Sequence, residues 1–300
     1  MDLTRRRMLQ QSAALAAGAV ALPMAEAPLT AASKRLWKVS LCEYSLHRMI
    51  GKGDLDPLDF GPFTKKTFGL EGVDYWNRPF MKKAKDAAYL AEMKKRADGE
   101  GVTGGVILVD GEGNLGDPDD ARRTQAVQRH HKWIDAAKAL GCYAIRVNAR
   151  SKGSYEEQQK LAADGLRRLG EYGKKNDCGV IVENHGGLSS NGEWLAAVMK
   201  RVDMDEVGTL PDFGNFGRYD RYKGVRELMP FAKNVSAKSH AFDADGNEVH
   251  TDYYKMMQIV VDSGFRGWVG IEYEGRKLSE VEGVKATRDL LAKVHAKLSA

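Results

Sequence analysis

Cysteine is scarce in this chain of 300 residues. The three that occur, Cys42, Cys142 and Cys178, lie far apart and form no CxxC pair. A thiolate zinc site is therefore not implied, and their positions within strand-like runs read as buried thiols rather than a disulfide framework. Charge of one sign is lacking as well: 46 Lys and Arg stand against 41 Asp and Glu, a net +5. Basic and acidic residues interleave along helical stretches, as on solvated faces, and form no stripe for a nucleic-acid backbone. The apolar run at residues 13–22 is ~10 long, short of the ~20 that cross a bilayer. No Gly-rich fingerprint follows the first strand-like run, where Leu46-His47-Arg48-Met49 stands instead, so a dinucleotide or P-loop fold is not encoded there.

The short apolar run belongs to a separate N-terminal unit. Thr4-Arg5-Arg6-Arg7-Met8-Leu9 is a twin-arginine pattern, and Ala25-Glu26-Ala27 closes the run with a small-x-small cleavage site. Residues 1–27 are read as a twin-arginine signal peptide and residues 28–300 as the mature protein, in the periplasm or otherwise exported. Losing Arg5, Arg6 and Arg7 against Asp2 and Glu26 takes the net charge from +5 to +4. No stable membrane anchor remains after cleavage.

What is present in the mature chain is a rhythm. Apolar runs at residues 37–46, 70–76, 103–110, 142–148, 179–185, 208–213, 235–242 and 268–273 each lead through a polar turn towards the next. Their starts are ~30–40 residues apart, one βα unit each. Helical periodicity is clearest at residues 79–96, 118–140, 156–176, 192–202, 252–263 and 278–298. Asp119, Ser154 and Asn191 fit N-caps, and Gly101, Gly141 and Gly264 fit the position after a helix. The stretch 51–67 is the longest irregular-looking one, read either as holding a short helix or as a lid over the barrel mouth. Strands alternating with helices make an α/β protein with a parallel sheet, and a count of eight makes it a single-domain (β/α)8 TIM barrel.

In such a barrel the chemistry sits at the carboxyl ends of the strands. The last four runs there deliver Glu183, Asp212, His240 and Glu272. Three carboxylates at the ends of apolar strands repel one another unless a cation joins them. Three carboxylates and an imidazole suit one divalent ion, Mn, Mg, Co or Zn. Residues two apart on a strand share a face, so His185 and Lys238 point the same way as Glu183 and His240, placed to bind substrate or a developing oxyanion. Glu274 shares the face of Glu272. From the other strands, Glu43 either binds a substrate hydroxyl or sits in an ion pair. Trp76 is either a wall for a sugar ring or a core residue. Arg146 is expected to pair with a neighbouring carboxylate.

Val182-Glu183-Asn184-His185-Gly186-Gly187, Pro211-Asp212-Phe213-Gly214-Asn215-Phe216, Lys238-Ser239-His240 and Ile271-Glu272-Tyr273 resemble the xylose isomerase-like TIM-barrel superfamily, the sugar phosphate isomerase/epimerase group. The resemblance to its ketose 3-epimerases implies that Glu183, Asp212, His240 and Glu272 bind one metal. It also implies that Glu183 and Glu272 are the catalytic acid/base pair. Asn215, counted with the substrate-binding set, stands where those epimerases commonly carry a His. A trinuclear phosphodiesterase of the related endonuclease type would need more histidines than His185, His240 and His250.

The function expected is a metal-dependent sugar isomerase or epimerase working through an enediolate on a keto sugar or polyol-type substrate. The alternative is a 3-keto-glycoside lyase or hydrolase using the same site, and a third is a non-catalytic sugar-binding barrel. The expected partner is a small carbohydrate and not a nucleic acid; a homodimer is compatible with the reading.

Overall fold

The apolar runs become strands over only the few residues that can alternate between a barrel interior and a surrounding helix layer. The computed structural model describes residues 36–300, so the signal peptide and its cleavage site lie outside the described residues. The strands are β1 (Lys38–Cys42), β2 (Gly72–Trp76), β3 (Thr103–Leu108), β4 (Ala144–Val147), β5 (Gly179–Glu183), β6 (Val207–Leu210), β7 (Val235–Ser239) and β8 (Trp268–Tyr273). All pair in parallel, in the order β6-β5-β4-β3-β2-β1-β8-β7. The two ends of this order meet through isolated parallel bridges, Thr209 with Ala232 and Asp212 with Ser236. The barrel is thereby closed, as the eightfold rhythm predicts.

Nine helices among the described residues clothe it: α1 (His47–Lys52), α2 (Phe60–Phe68), α3 (Ala87–Gly99), α4 (Asp120–Leu140), α5 (Tyr155–Lys175), α6 (Gly192–Val202), α7 (Arg221–Leu228), α8 (Tyr253–Asp262) and α9 (Glu280–Ser299). Asp119, Ser154 and Asn191 cap α4, α5 and α6 through their side chains. The stretch 51–67 holds a short helix, one of the two readings it admits, ending α1 and supplying most of α2. One expectation needs correction. The helix expected from residue 79 starts only at Ala87, where the Asp86 side chain accepts from Tyr89 N. Among the described residues no helix is long and apolar enough to cross a membrane. The three cysteines are buried and free.

The apolar core has two parts. The larger lies between strands and helices, with Trp133, Trp194, Tyr253 and Tyr273 fully buried. The smaller fills the barrel interior with Cys42, Val106, Leu108, Ala144, Ile181 and Leu210, and Tyr44 and Trp76 pack against it. One carboxylate is set among these residues. Asp74 accepts from Ser40 Oγ at 2.6 Å, Val106 N at 3.1 Å and Asn234 Nδ2 at 3.3 Å. A Cβ at Gly105 would lie 2.4 Å from Asp74 Oδ1, and one at Gly270 would lie 2.7 Å from Oδ2, so both glycines make room for it. Burial pushes the Asp74 acid up to about 6 against these hydrogen bonds.

Candidate active site and metal centre

Glu183 ends β5, Asp212 follows β6 by two residues, and Glu272 is the penultimate residue of β8. Strand register thus carries all three to the same end of the barrel. One carboxylate oxygen of each lies within 4.8 Å of the others, and all three side chains are buried. Asp212 is fixed most tightly. Its Oδ1 accepts from Gly214 N and Asn215 N, both at 2.8 Å. Its backbone exchanges two hydrogen bonds with the Asn184 side chain, at 2.7 and 3.0 Å. Asn215 Nδ2 then reaches Glu183 Oε1 at 2.8 Å, so the amide expected to touch substrate also orients Glu183.

Two cations answer the carboxylates from below. Lys238 Nζ is 2.7 Å from Glu274 Oε1, 3.4 Å from Glu272 Oε2 and 3.5 Å from Asp212 Oδ2. Arg146 Nη1 bonds Asp110 Oδ1 at 3.0 Å, while Nε lies 2.7 Å from Glu183 Oε2. The Nε–H does not point along that second contact, so Glu183 Oε2 has an ion-pair neighbour but no hydrogen-bond donor. Ser236 Oγ is 2.7 Å from Asp212 Oδ2 and 2.8 Å from Glu272 Oε2. A hydroxyl has one proton and can donate to only one of those oxygens.

The site is therefore short of positive charge. Burial pushes Glu183 and Asp212 up to about 7, with Glu272 adding repulsion and Arg146 and Lys238 opposing the rise. Glu272 is buried too, but Lys238 and Arg146 outweigh burial and hold its acid below the ordinary value. Asp110, Glu183, Asp212, Glu272 and Glu274 thus share two cationic side chains. A carboxylate oxygen without a donor and a hydroxyl divided between two others are what a divalent cation would complete. The donor set fits such an ion.

His240 stands apart from this group. The strand β7 ends at Ser239; His240 N donates to Glu248 Oε1 at 3.2 Å, and its ring lies edge-on to His250 with centroids 5.9 Å apart. Lys238, not the imidazole, fills the space between Asp212 and Glu272. His185 is half-buried beyond β5. Burial, then Arg146 and Lys238, lower its basicity, so it is neutral near pH 7, and its Nδ1 has no partner.

On the other half of the mouth, Glu43 is fully buried and accepts from Trp76 N at 2.7 Å. It is in no ion pair among the described residues, and burial pushes its acid up to about 8. Trp76 is partly exposed at the end of β2, with Nε1 donating to Asp110 Oδ2 at 3.2 Å. Arg146 makes the expected carboxylate pairs. Ser236 and Asn184 were not singled out by sequence. Ser236 precedes Lys238 by two and shares its inward face, which is the one signal that could have found it.

Comparison with known proteins agrees with this architecture. A family model described as xylose isomerase-like TIM barrel matches residues 64–294. No curated protein matches the chain by sequence. Solved structures share the fold at low identity. The 3-keto-D-glucoside 4-epimerase YcjR from E. coli, in its apo form, is 17% identical with a TM-score of 0.63, covering 80% of this chain and 94% of its own. The IOLI protein with a bound zinc atom is 14% identical with a TM-score of 0.70, covering 87% and 98%. A xylose isomerase-like TIM barrel protein from Mycobacterium smegmatis in complex with magnesium is 17% identical with a TM-score of 0.65, covering 88% and 98%.

Proposed function

The chain belongs to the xylose isomerase-like TIM-barrel family, and on that premise we propose that it is a metal-dependent sugar isomerase or epimerase acting on a keto sugar or polyol-type substrate. The observation that carries the reading is the buried trio Glu183, Asp212 and Glu272, gathered within 4.8 Å and short of positive charge. These three would hold one divalent ion; His240, which stands apart from them, would have to turn from His250 to join as a fourth ligand. When bound, the ion supplies Lewis acidity to a carbonyl and its neighbouring hydroxyl.

The side chains supply the proton transfers. One of Glu183 and Glu272 takes the proton from the carbon beside the carbonyl, and the other returns one. Return on the opposite face inverts a centre; return at the neighbouring carbon exchanges aldose and ketose. Asn215 Nδ2 donates to Glu183 Oε1 and so fixes the orientation of this carboxylate. Lys238, kept charged by the carboxylates around it, steadies the negative charge that develops on the substrate oxygen. His185, neutral and with a free ring nitrogen, binds a substrate hydroxyl.

A second reading begins with the same proton removal. In a 3-keto-glycoside, the electron pair left behind can expel the glycosidic oxygen, which makes the protein a lyase. The shared fold with a 3-keto-D-glucoside 4-epimerase and the reading of residues 1–27 as an export signal both support substrates of that kind. The test is metal analysis of purified protein, followed by incubation of keto sugars in deuterated water. Deuterium beside the carbonyl, lost on chelation and restored by metal, is the expected result. A released aglycone would select the lyase. No metal-dependent exchange with any keto sugar would overturn the reading.

A further inference from the structure

Strand β7 presents alternate side chains to the barrel interior. Ser236 and Lys238 are buried there, whereas Ala237 packs in the larger core and Ser239 Oγ meets Thr287 Oγ1 of α9 at 2.6 Å. Register sets their heights. Ser236 forms the isolated bridge with Asp212, and Lys238 pairs with Glu272 of β8. His240 lies two residues beyond Lys238 and past the end of the strand, roughly 7 Å further along an extended chain. The buried Glu248 accepts from the backbone nitrogens of His240, Ala241, His250 and Thr251. The backbone that carries the imidazole is thus tied to the loop before α8. The side chains that β7 sets level with the carboxylate trio are Ser236 and Lys238.

Of these two, only the serine can ligate a cation, because a charged ammonium has no lone pair. Ser236 Oγ is 2.7 Å from Asp212 Oδ2 and 2.8 Å from Glu272 Oε2. Lys238 Nζ stands 3.5 and 3.4 Å from the same two oxygens, beyond ordinary hydrogen-bond length. Three oxygens therefore converge with one hydrogen among them. Donors on adjacent corners of an octahedral Mg site lie about 2.9 Å apart, close to both serine contacts. A serine or threonine hydroxyl is a neutral ligand that such hard ions accept. Ser236 and Glu272 also line a cavity of about 10 Å³ inside the barrel, the room that one water needs. The hydroxyl hydrogen can turn there while the oxygen faces the ion.

We propose that Ser236 Oγ, and not His240, completes the cation site of Glu183, Asp212 and Glu272. The inference rests on the reading of that trio as a metal centre, and it changes the chemistry of the centre. A site of oxygens alone suits Mg or Mn, whereas an imidazole would favour Zn. Ser236 then acts twice: it bridges Asp212 and Glu272 before the ion enters and binds the ion afterwards.

The test is cation binding to purified protein freed of metal by chelation. Pulsed EPR of the unmodified protein loaded with Mn should show no imidazole nitrogen coupled to the ion. In calorimetry, Ser236→Ala should weaken Mn binding about tenfold, whereas His240→Ala should bind Mn as the parent does. Ser236→Cys exchanges one oxygen for sulfur. Loaded with Co, it should show a near-ultraviolet thiolate-to-cobalt band that the parent lacks, and its preference should move from Mg towards Zn. An imidazole coupling in the parent that vanishes in His240→Ala would overturn the assignment. So would parental Mn affinity in folded Ser236→Ala, or no thiolate band in folded Ser236→Cys. Each of these, with Mg or Mn still bound by the parent, leaves the metal centre standing. No binding of Mg or Mn by the parent would reject the centre and the assignment together. The EPR spectrum of the parent needs no substitution, so it decides the matter even where a Ser236 variant fails to fold.

Discussion

Lys238 shows how far a single residue governs this site. Burial works against its charge, but Asp212, Glu272, Glu183 and Glu274 together hold its pKa well above the ordinary lysine value. Removing one partner of a buried pair costs about 3–5 kcal/mol, because the other is left uncompensated. Lys238→Met should therefore lower the melting temperature of metal-free protein and enlarge the gain in melting temperature on adding Mg or Mn, since no ammonium then competes with the ion. An unchanged gain would show that the ammonium and the ion occupy separate places. At the two glutamates, Glu183→Gln and Glu272→Gln should keep at least weak metal binding and lose deuterium exchange by ~10²-fold or more, whereas Asp212→Ala should lose the metal itself. Metal content and exchange measured in parallel decide this. Asp74, inside the barrel, offers a pH test. Its folded pKa of about 6 lies above its ordinary 3.8, so the folded state holds the proton more firmly. Stability from this group is complete below about pH 4 and falls as pH rises through 6, by about 3 kcal/mol. Asp74→Asn should remove that fall, seen as the difference between urea midpoints of the two proteins at pH 4.5 and 7.5. The convergence of Glu183, Asp212 and Glu272 was legible in the sequence because each stands at the end of an apolar run. The orienting roles of Ser236, Asn184 and Asp110 were not, because they arise from bonds between strands distant in sequence.

Among the elements, strands were easier to read than short helices, and the reasons are local. In α2, Gly61 and Pro62 look like turn residues. Yet Pro62 lies in the first helical turn, where no amide donor is required, and a Cβ at Gly61 would lie 2.9 Å from the Ala97 Cβ of α3. In α7, Gly224 looks like a breaker; a Cβ there would come within 2.1 Å of the Phe216 ring. In both cases the glycine answers close packing, which no periodicity reveals. Caps were legible because their signal is contained within four residues. Ser154 accepts from Glu157 N while Glu157 Oε2 accepts from Ser154 N at 2.8 Å, the reciprocal pair that opens α5. Ser154→Ala should cost about 1 kcal/mol in urea denaturation, with catalysis unaffected. A loss below a few tenths would mean that packing of Leu166 and Leu169 alone fixes the start of α5.

At the scale of the whole molecule, closure of the barrel and the site are one matter. Seven of the eight strand contacts are ladders, whereas β6 and β7 meet only through isolated bridges, one of them Asp212 with Ser236. The proposed ion would join Asp212 to Glu272 across this seam. Loading with Mg or Zn should therefore slow amide exchange at Phe213 N and Ser236 N, which bond Ser236 O and Pro211 O, more than at the β3–β4 ladder. Uniform slowing, or none, would mean the seam is closed without the ion. The carboxylate of Asp74, held between Gly105 and Gly270, bears on how this barrel can change over generations. Alanine at either glycine collides with Asp74, whereas with a small residue at position 74 the same alanines would fill vacated space. Their effects then depend on order, and a double-mutant cycle should show strong non-additivity. A lineage leaving this arrangement must change position 74 before either glycine, and one returning must restore both glycines before the aspartate.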